Sequence, residues 1–300
     1  MNGAAEVHKN RKREEYWADL VGGGTAAYKM GVLERLLEGG PPAPGGDILD
    51  VGAGTSDASN FVRRFVPEAR VVRCDYDAAV IEAAAEACDD PDVEFRVADI
   101  FEVGNWTDQF SIVLFLDMLH EVYSFVGRSD GLDSPIDHGL GQDAVRRALA
   151  SVSRLVRPGG VIVITDNVLC EYTENVEVRV DPDVRAAVVR FLEDYPSRQM
   201  AVDWEGDRLF IGAHDFCILL TQYNKIKTGQ EDRWAVEQLE IHQYMMLSEF
   251  ATVFDTLGFD LECVVGTPDD AYDEWSSDFE VVAGLEALPL KRVTLVATRR

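Results

Sequence analysis

The chain has 300 residues, 47% of them hydrophobic, which is enough for one large domain, or a domain with a subdomain, around a sizeable core. Its 54 acidic residues outweigh 28 basic ones, and a formal net charge of -26 repels phosphate backbones and disfavours a general nucleic-acid binder. No apolar run approaches the ~18–20 residues of a membrane span and Met1–Glu6 carries no apolar signal segment, so a cytoplasmic protein without membrane attachment is expected.

The acidity reads either as a strongly solvated surface or as adaptation to a salty cytoplasm; neither bears on a reaction. The five cysteines, Cys74, Cys88, Cys170, Cys217 and Cys263, are scattered without a Cys-x-x-Cys pair. They suggest neither a zinc knuckle nor a disulfide framework, and fit small buried residues in a reducing compartment.

Residues 8–38 read as two helices around a break at Val21–Thr25, the second with Met30, Leu33, Leu36 and Leu37 at helical spacing. Gly39 to Gly46, with three prolines, is a loop. This segment either forms a lid or packs against a sheet edge. Asp47-Ile48-Leu49-Asp50-Val51-Gly52-Ala53-Gly54-Thr55-Ser56 then reads as strand, glycine turn and helix start, an arrangement that brings backbone close to a nucleotide-like ligand. Gly52 and Gly54 lack a Cβ, which frees the main chain for unusual dihedrals and close approach.

Further strands are expected at Arg70–Cys74, Val93–Val97, Phe110–Leu116 and Val161–Thr165, with helices over Ala78–Ala87 and Ala144–Val156. Arg157-Pro158-Gly159-Gly160 is expected to stop the second helix. The uninterrupted apolar run Phe110–Leu116 suits a parallel strand buried on both faces. Repeated β-α units predict an α/β fold with a doubly wound parallel sheet. Leu261–Val265 and Arg292–Ala297 are two late strands, and the weakly helical stretch between them suggests an antiparallel hairpin.

Ser124–Gly141 and Val168 to about Gln243 exceed ordinary βα loop lengths. The second carries a helical pattern (Pro182–Tyr195), then hairpin-like segments around Trp204–Asp207 and Phe216–Tyr223. Met246–Leu257 reads as a helix ended by Gly258. The expected organisation is an N-terminal helical segment or lid (1–44), a cofactor-binding core (45–167), an inserted cap for substrate (168–243), and a final helix and strands completing the core (244–300). Aromatic residues of the insertion, Trp204, Phe210, Phe216, Tyr223, Trp234 and Tyr244, could line an acceptor pocket or serve as core.

Five segments in order carry a resemblance: Leu49-Asp50-Val51-Gly52-Ala53-Gly54-Thr55; Cys74-Asp75-Tyr76-Asp77; Val97-Ala98-Asp99-Ile100; Phe110–Leu114 running into Met118-Leu119-His120-Glu121; and Leu155-Val156-Arg157-Pro158-Gly159-Gly160. The chain resembles the class I S-adenosylmethionine-dependent methyltransferases over about residues 45–170, and loosely in its two last strands. Ser56 stands where that family has a third glycine. The resemblance implies a seven-stranded Rossmann-like sheet and S-adenosylmethionine as cofactor. Asp75 would take both ribose hydroxyls, and Tyr76 would pack on the adenine. Asp99 would accept from the adenine amino group, with the Ile100 backbone serving a ring nitrogen. Gly52 and Gly54 would admit the methionine portion. Asp50 would hold the turn or meet the ammonium through water, and Asp117, after the fourth strand, would line the site.

His120 is the catalytic candidate. It resembles the histidine of the Leu-His-Asp segment in small-molecule O-methyltransferases, which acts as a base; a cavity-wall role and a structural role stand beside that reading. His138 and His8 read as solvated, and His214 and His242 as within reach of substrate. No His/Asp/Glu grouping has metal-ligand spacing, so no metal is expected. The function expected is methyl transfer to a small organic acceptor, at oxygen in preference to nitrogen or carbon. A protein or RNA methyltransferase, or a non-catalytic protein retaining the fold, are the alternatives; the Asn/Asp-Pro-Pro-aromatic motif of amino-group methylation is absent after the fourth strand.

Overall fold

Short apolar runs separated by helices align as a parallel sheet in the computed structural model, which describes residues 31, 33–34, 37, 46–54, 62–132, 134–265 and 271–300. The first N-terminal helix, most of the second, and the helix start at 55–61 lie outside these residues, and with them the lid reading; of the second helix residues 31, 33–34 and 37 are described, and they are helical. The core strands are β1 (Ile48–Val51), β2 (Val71–Asp75), β3 (Val93–Val97), β4 (Phe110–Leu116) and β5 (Val156–Asn167). Helices α1 (Ala78–Glu86), α2 (Leu119–Val126) and α3 (His138–Ser153) connect them. Two late strands, β9 (Phe259–Val265) and β11 (Arg292–Arg299), complete a seven-stranded sheet of order β3-β2-β1-β4-β5-β11-β9. β1 to β5 are parallel, and β11 runs antiparallel to both of its neighbours.

Successive strand residues serve opposite faces, so both faces of the sheet need apolar cover. Leu49, Val113, Phe115 and Ile162 pack with Ala144, Ala148 and Val152 of α3 on one face. On the other, Ile48, Val71, Ile112 and Val163 pack with Leu33, Leu37 and Val62. This explains the unbroken hydrophobicity of β4.

Four elements differ from the sequence expectation. α3 starts at His138, not Ala144, because the Asp137 carboxylate caps it by accepting from the Leu140 N–H at 2.9 Å. Arg157–Gly160 lies within the span of β5: the pairing skips from Phe110↔Val156 to Ile112↔Val161, so the turn bulges out and the strand resumes. The expected hairpin at Phe216–Tyr223 is instead part of a 15-residue helix, α5 (Ala213–Lys227), buried from Phe216 to Tyr223. The stretch between β9 and β11 holds helix α8 (Ala271–Asp278) and strand β10 (Phe279–Ala283), although β9 and β11 do pair antiparallel as expected.

β10 leaves the main sheet altogether. It joins β6 (Asn175–Val180), β7 (Val202–Glu205) and β8 (Arg208–Gly212) in a second, antiparallel sheet of order β10-β6-β8-β7. Helices α4 (Arg185–Asp194), α5 and α6 (Glu231–Glu237) pack with it. Phe216 and Tyr223 meet Phe279 edge-on, and Trp234 packs against Phe191 and Tyr195. These aromatics are core. α7 (Leu247–Leu257) ends on Gly258 in the left-handed conformation at φ 83°. Among the described residues, no helix is long and apolar enough to cross a membrane.

Candidate active site

In an open parallel sheet the ligand crevice lies beyond the carboxyl ends of the strands, and β1, β2, β4 and β5 each deliver acidic or polar residues there. After β1 the chain turns through Gly52 (φ 65°) and Gly54 (φ 52°), a left-handed pair that an L side chain rarely adopts. A Cβ on Gly52 would stand 2.9 Å from Met118 Cε. The N–H groups of Gly52 and Ala53 donate to the Cys74 carbonyl, which fixes the turn to the end of β2.

Asp75 closes β2. One carboxylate oxygen accepts from the Asp77 N–H at 3.0 Å and the other from Gly54 N–H at 3.4 Å. The half-buried acid is thus tied to the glycine turn. Asp50 is buried within β1, and its carboxylate faces Arg73 Nε at 3.9 Å. Arg73 in turn donates to the Gly54 carbonyl at 3.4 Å. Asp50 therefore bears on the turn through Arg73, a residue that sequence reading passed over as an ordinary strand position.

Tyr76, Leu132, Val236 and Leu239 all pack against Phe125, which brings the end of α6 and the residues after it near the end of β2. Asp99 accepts from the Phe101 N–H at 3.0 Å, and Ile100 is buried. Asp117, directly after β4, has φ 56° and meets Arg292 Nη2 at 3.2 Å. A left-handed backbone is uncommon outside glycine, and Asp is among the residues that tolerate it. It turns the chain sharply from β4 into α2.

That turn places His120 inside the protein, against the end of β5. His120 Nδ1 lies 2.9 Å from Asp166 Oδ1, and its backbone N–H donates to Asp166 Oδ2 at 3.2 Å. Asp166 also accepts from the Asn167 N–H at 2.8 Å and the Tyr244 hydroxyl at 3.1 Å. A buried carboxylate so fully engaged fixes the imidazole with the Nδ1 proton toward Asp166 and Nε2 pointing away. Nε2 faces Glu240 Oε2 at 3.7 Å, and the His242 ring stacks on the His120 ring at 4.5 Å between centroids. Burial alone would disfavour a charged ring. The charge and hydrogen bond of Asp166, followed by the charge of Glu240, outweigh burial and raise the His120 pKa to about 10. Burial and the Asp166 charge hold the Tyr244 phenol well above its ordinary range, so it remains a donor.

Asp166, Glu240 and Tyr244 are partners of His120 that sequence reading did not assign. Asp166 had a usable signal: like Asp75, it is an acid at the carboxyl end of a parallel strand. Glu240 had none, because it lies 120 residues from His120 in the chain; His242 was read as near substrate, but not as a neighbour of His120.

Residues 49–164 match a family model described as a methyltransferase domain. That stretch, less than half of the chain, is similar to methyltransferase domains. No curated protein matches the sequence. Solved structures share the fold at low identity. The N-methyltransferase NodS from Bradyrhizobium japonicum, in complex with S-adenosyl-L-homocysteine, is 12% identical with a TM-score of 0.52, over 100% of this chain and 99% of that one. The magnesium protoporphyrin IX methyltransferase ChlM from Synechocystis is 10% identical with a TM-score of 0.52, over 99% and 98%. The mitomycin 7-O-methyltransferase MmcR is 15% identical with a TM-score of 0.53, over 99% of this chain and 60% of that one.

The crevice at the ends of β1 and β2 gathers three features. A half-buried acid ends β2, a glycine turn faces it, and an apolar side chain, Met118, lies over the turn.

Proposed function

We propose that the chain is an S-adenosylmethionine-dependent methyltransferase, whose cofactor would supply an activated methyl group on a sulfonium, that it acts on a small organic acceptor, at oxygen, and that His120 activates the accepting hydroxyl. The observation that carries the reading is the His120–Asp166 pair, held three residues past Asp117 at the rim of the cofactor crevice. Asp75 would bind the ribose hydroxyls and Tyr76 the adenine. Asp99 and the Ile100 backbone would serve the adenine edge. Gly52 and Gly54 would admit the methionine end, with Asp50 supporting the turn through Arg73, and Asp117 would line the wall beside it.

Methyl transfer is an in-line displacement at carbon, so alignment contributes most of the rate, up to about 7–11 kcal/mol. Proton removal from the acceptor adds about 10²–10⁴-fold. Asp166 holds Nδ1–H, which leaves Nε2 as the atom toward which an acceptor proton can move. With its pKa raised to about 10 the ring is protonated at neutral pH, so activity that depends on the neutral ring should rise with pH toward that value; once neutral, the ring is a strong base, because the proton it takes lands between Asp166 and Glu240. Residues 168–243, with Val236 and Leu239 packed on Phe125 beside the cofactor crevice, would form the acceptor side of the site. The solved neighbours named for a mitomycin and a magnesium protoporphyrin favour the small-acceptor class, and the charge of -26 disfavours RNA.

The test is to incubate the protein with methyl-labelled S-adenosylmethionine and a cell extract, then separate small molecules from protein and RNA. Label is expected in the small-molecule fraction, as an alkali-stable methyl ether or an alkali-labile methyl ester. Label confined to macromolecules would overturn the reading.

A further inference from the structure

The fold gathers His120, Glu240 and His242 so that one ligand atom from each lies within 4.8 Å of the others. Sequence spacing gave no reason to expect this, since α2 supplies the first and the segment between α6 and α7 supplies the rest. We propose that these three side chains, with Glu237, form a binding site for one divalent transition-metal ion of the zinc class.

The first argument is spacing. His242 Nε2 stands 3.1 Å from Glu237 Oε2 and 3.5 Å from Glu240 Oε2, and His120 Nε2 stands 3.7 Å from Glu240 Oε2. Metal–ligand bonds of about 2.0–2.2 Å separate neighbouring ligand atoms by about 3–3.5 Å. The second argument is alignment. Glu237 Oε2 and His242 Nε2 are both buried, yet neither is aligned in a hydrogen bond among the described residues. They stand at ion-pair distance, and Lys225 Nζ lies 3.3 Å from the same Glu237 oxygen, so an ion bound here would take over part of the charge balance that Lys225 now supplies.

The third argument lies behind the ligands. A ligating histidine ordinarily gives its other ring N–H to a carboxylate or carbonyl oxygen. His120 Nδ1 meets Asp166 Oδ1 at 2.9 Å. His242 Nδ1 lies 3.4 Å from the Asn167 amide nitrogen, while Asn167 Oδ1 has no hydrogen-bond partner among the described residues. Turning that amide over puts the oxygen on the ring N–H, and the two orientations are nearly identical in shape. Both imidazoles then have an oriented Nδ1, and each Nε2 lies beside a carboxylate oxygen of the same cluster. Two imidazole nitrogens with carboxylate oxygens suit zinc, iron or cobalt, whereas magnesium and calcium prefer oxygen alone.

The site deepens the proposed function and rests on it only for the place where the acceptor docks. An ion there occupies the nitrogen that otherwise takes the acceptor's proton. His120 then serves as a ligand, and a hydroxyl coordinated to the ion releases its proton to solvent at a lower pH.

The experiment uses the full chain, stripped with a chelator and dialysed, and titrated with Zn²⁺ in a calorimeter and with Co²⁺ by visible absorption. One Zn²⁺ per chain is expected, undisturbed by excess Mg²⁺, with a Co²⁺ spectrum of nitrogen-containing low-symmetry ligation. His242→Ala and Glu240→Gln should each weaken binding by a hundredfold or more. Asp166→Asn should weaken it by about 10–100-fold, and His214→Ala should leave it unchanged. Failure of wild-type protein to bind Zn²⁺, a Co²⁺ spectrum like that of the hydrated ion, or affinity that survives loss of both His242 and Glu240 would overturn the site. If a variant does not fold, the wild-type stoichiometry and Co²⁺ spectrum decide alone. Affinity for S-adenosylhomocysteine, measured on the same stripped protein, reports the methyltransferase reading separately.

Discussion

Asp75→Ala is expected to abolish measurable binding of S-adenosylhomocysteine in a calorimetric titration. Two hydroxyl donors to one carboxylate are worth about 1.5–3 kcal/mol each, so the loss should reach about 10²–10⁴-fold. The acid also ties the end of β2 to the glycine turn, since it accepts from the Gly54 and Asp77 N–H groups. Asp75→Asn keeps an acceptor oxygen for one of these bonds and should fall between the variant and wild type. Unchanged affinity in Asp75→Ala would remove the assignment of β2 as the ribose-binding strand.

His120→Ala is expected to lower kcat by about 10²–10⁴-fold with little change in S-adenosylhomocysteine affinity. The split matters because His120 is buried, and a merely structural role would loosen the whole crevice. Such a role would shift cofactor affinity and thermal stability together and leave the kcat of the surviving folded protein near normal. Asp166→Asn should reproduce part of the kcat loss, since it removes the acceptor that orients Nδ1 and leaves the backbone N–H of His120 with a weaker partner. Full activity in His120→Ala would end the case for acceptor activation at this residue.

The core strands were legible because their signals are local. β4 is one unbroken apolar run, and β1 and β2 are short apolar runs closed by acids, so boundary and chemistry come from the same few residues. α5 was not legible. Phe216 to Tyr223 is buried along its whole length, so no polar face marks a period of 3.6, and a short apolar run does not distinguish helix from strand. β10 was hidden for the opposite reason: only Phe279 of its residues is buried, and its partner β6 lies about 100 residues earlier. The site divides along the same line. Gly52, Gly54 and Asp75 follow from strand–turn–helix chemistry. The partners of His120 come from β5, from the segment after α6, and from Tyr244, and only packing in three dimensions brings them together.

The most direct measurement is a crystal structure of the chain with S-adenosylhomocysteine. The ribose hydroxyls should lie on Asp75, the adenine beside Tyr76 and Asp99, and the amino-acid end over the turn at Gly52 and Gly54, with the sulfur open toward His120. A ligand bound away from the ends of β1 and β2, or a sulfur turned from His120 toward solvent, would contradict the account.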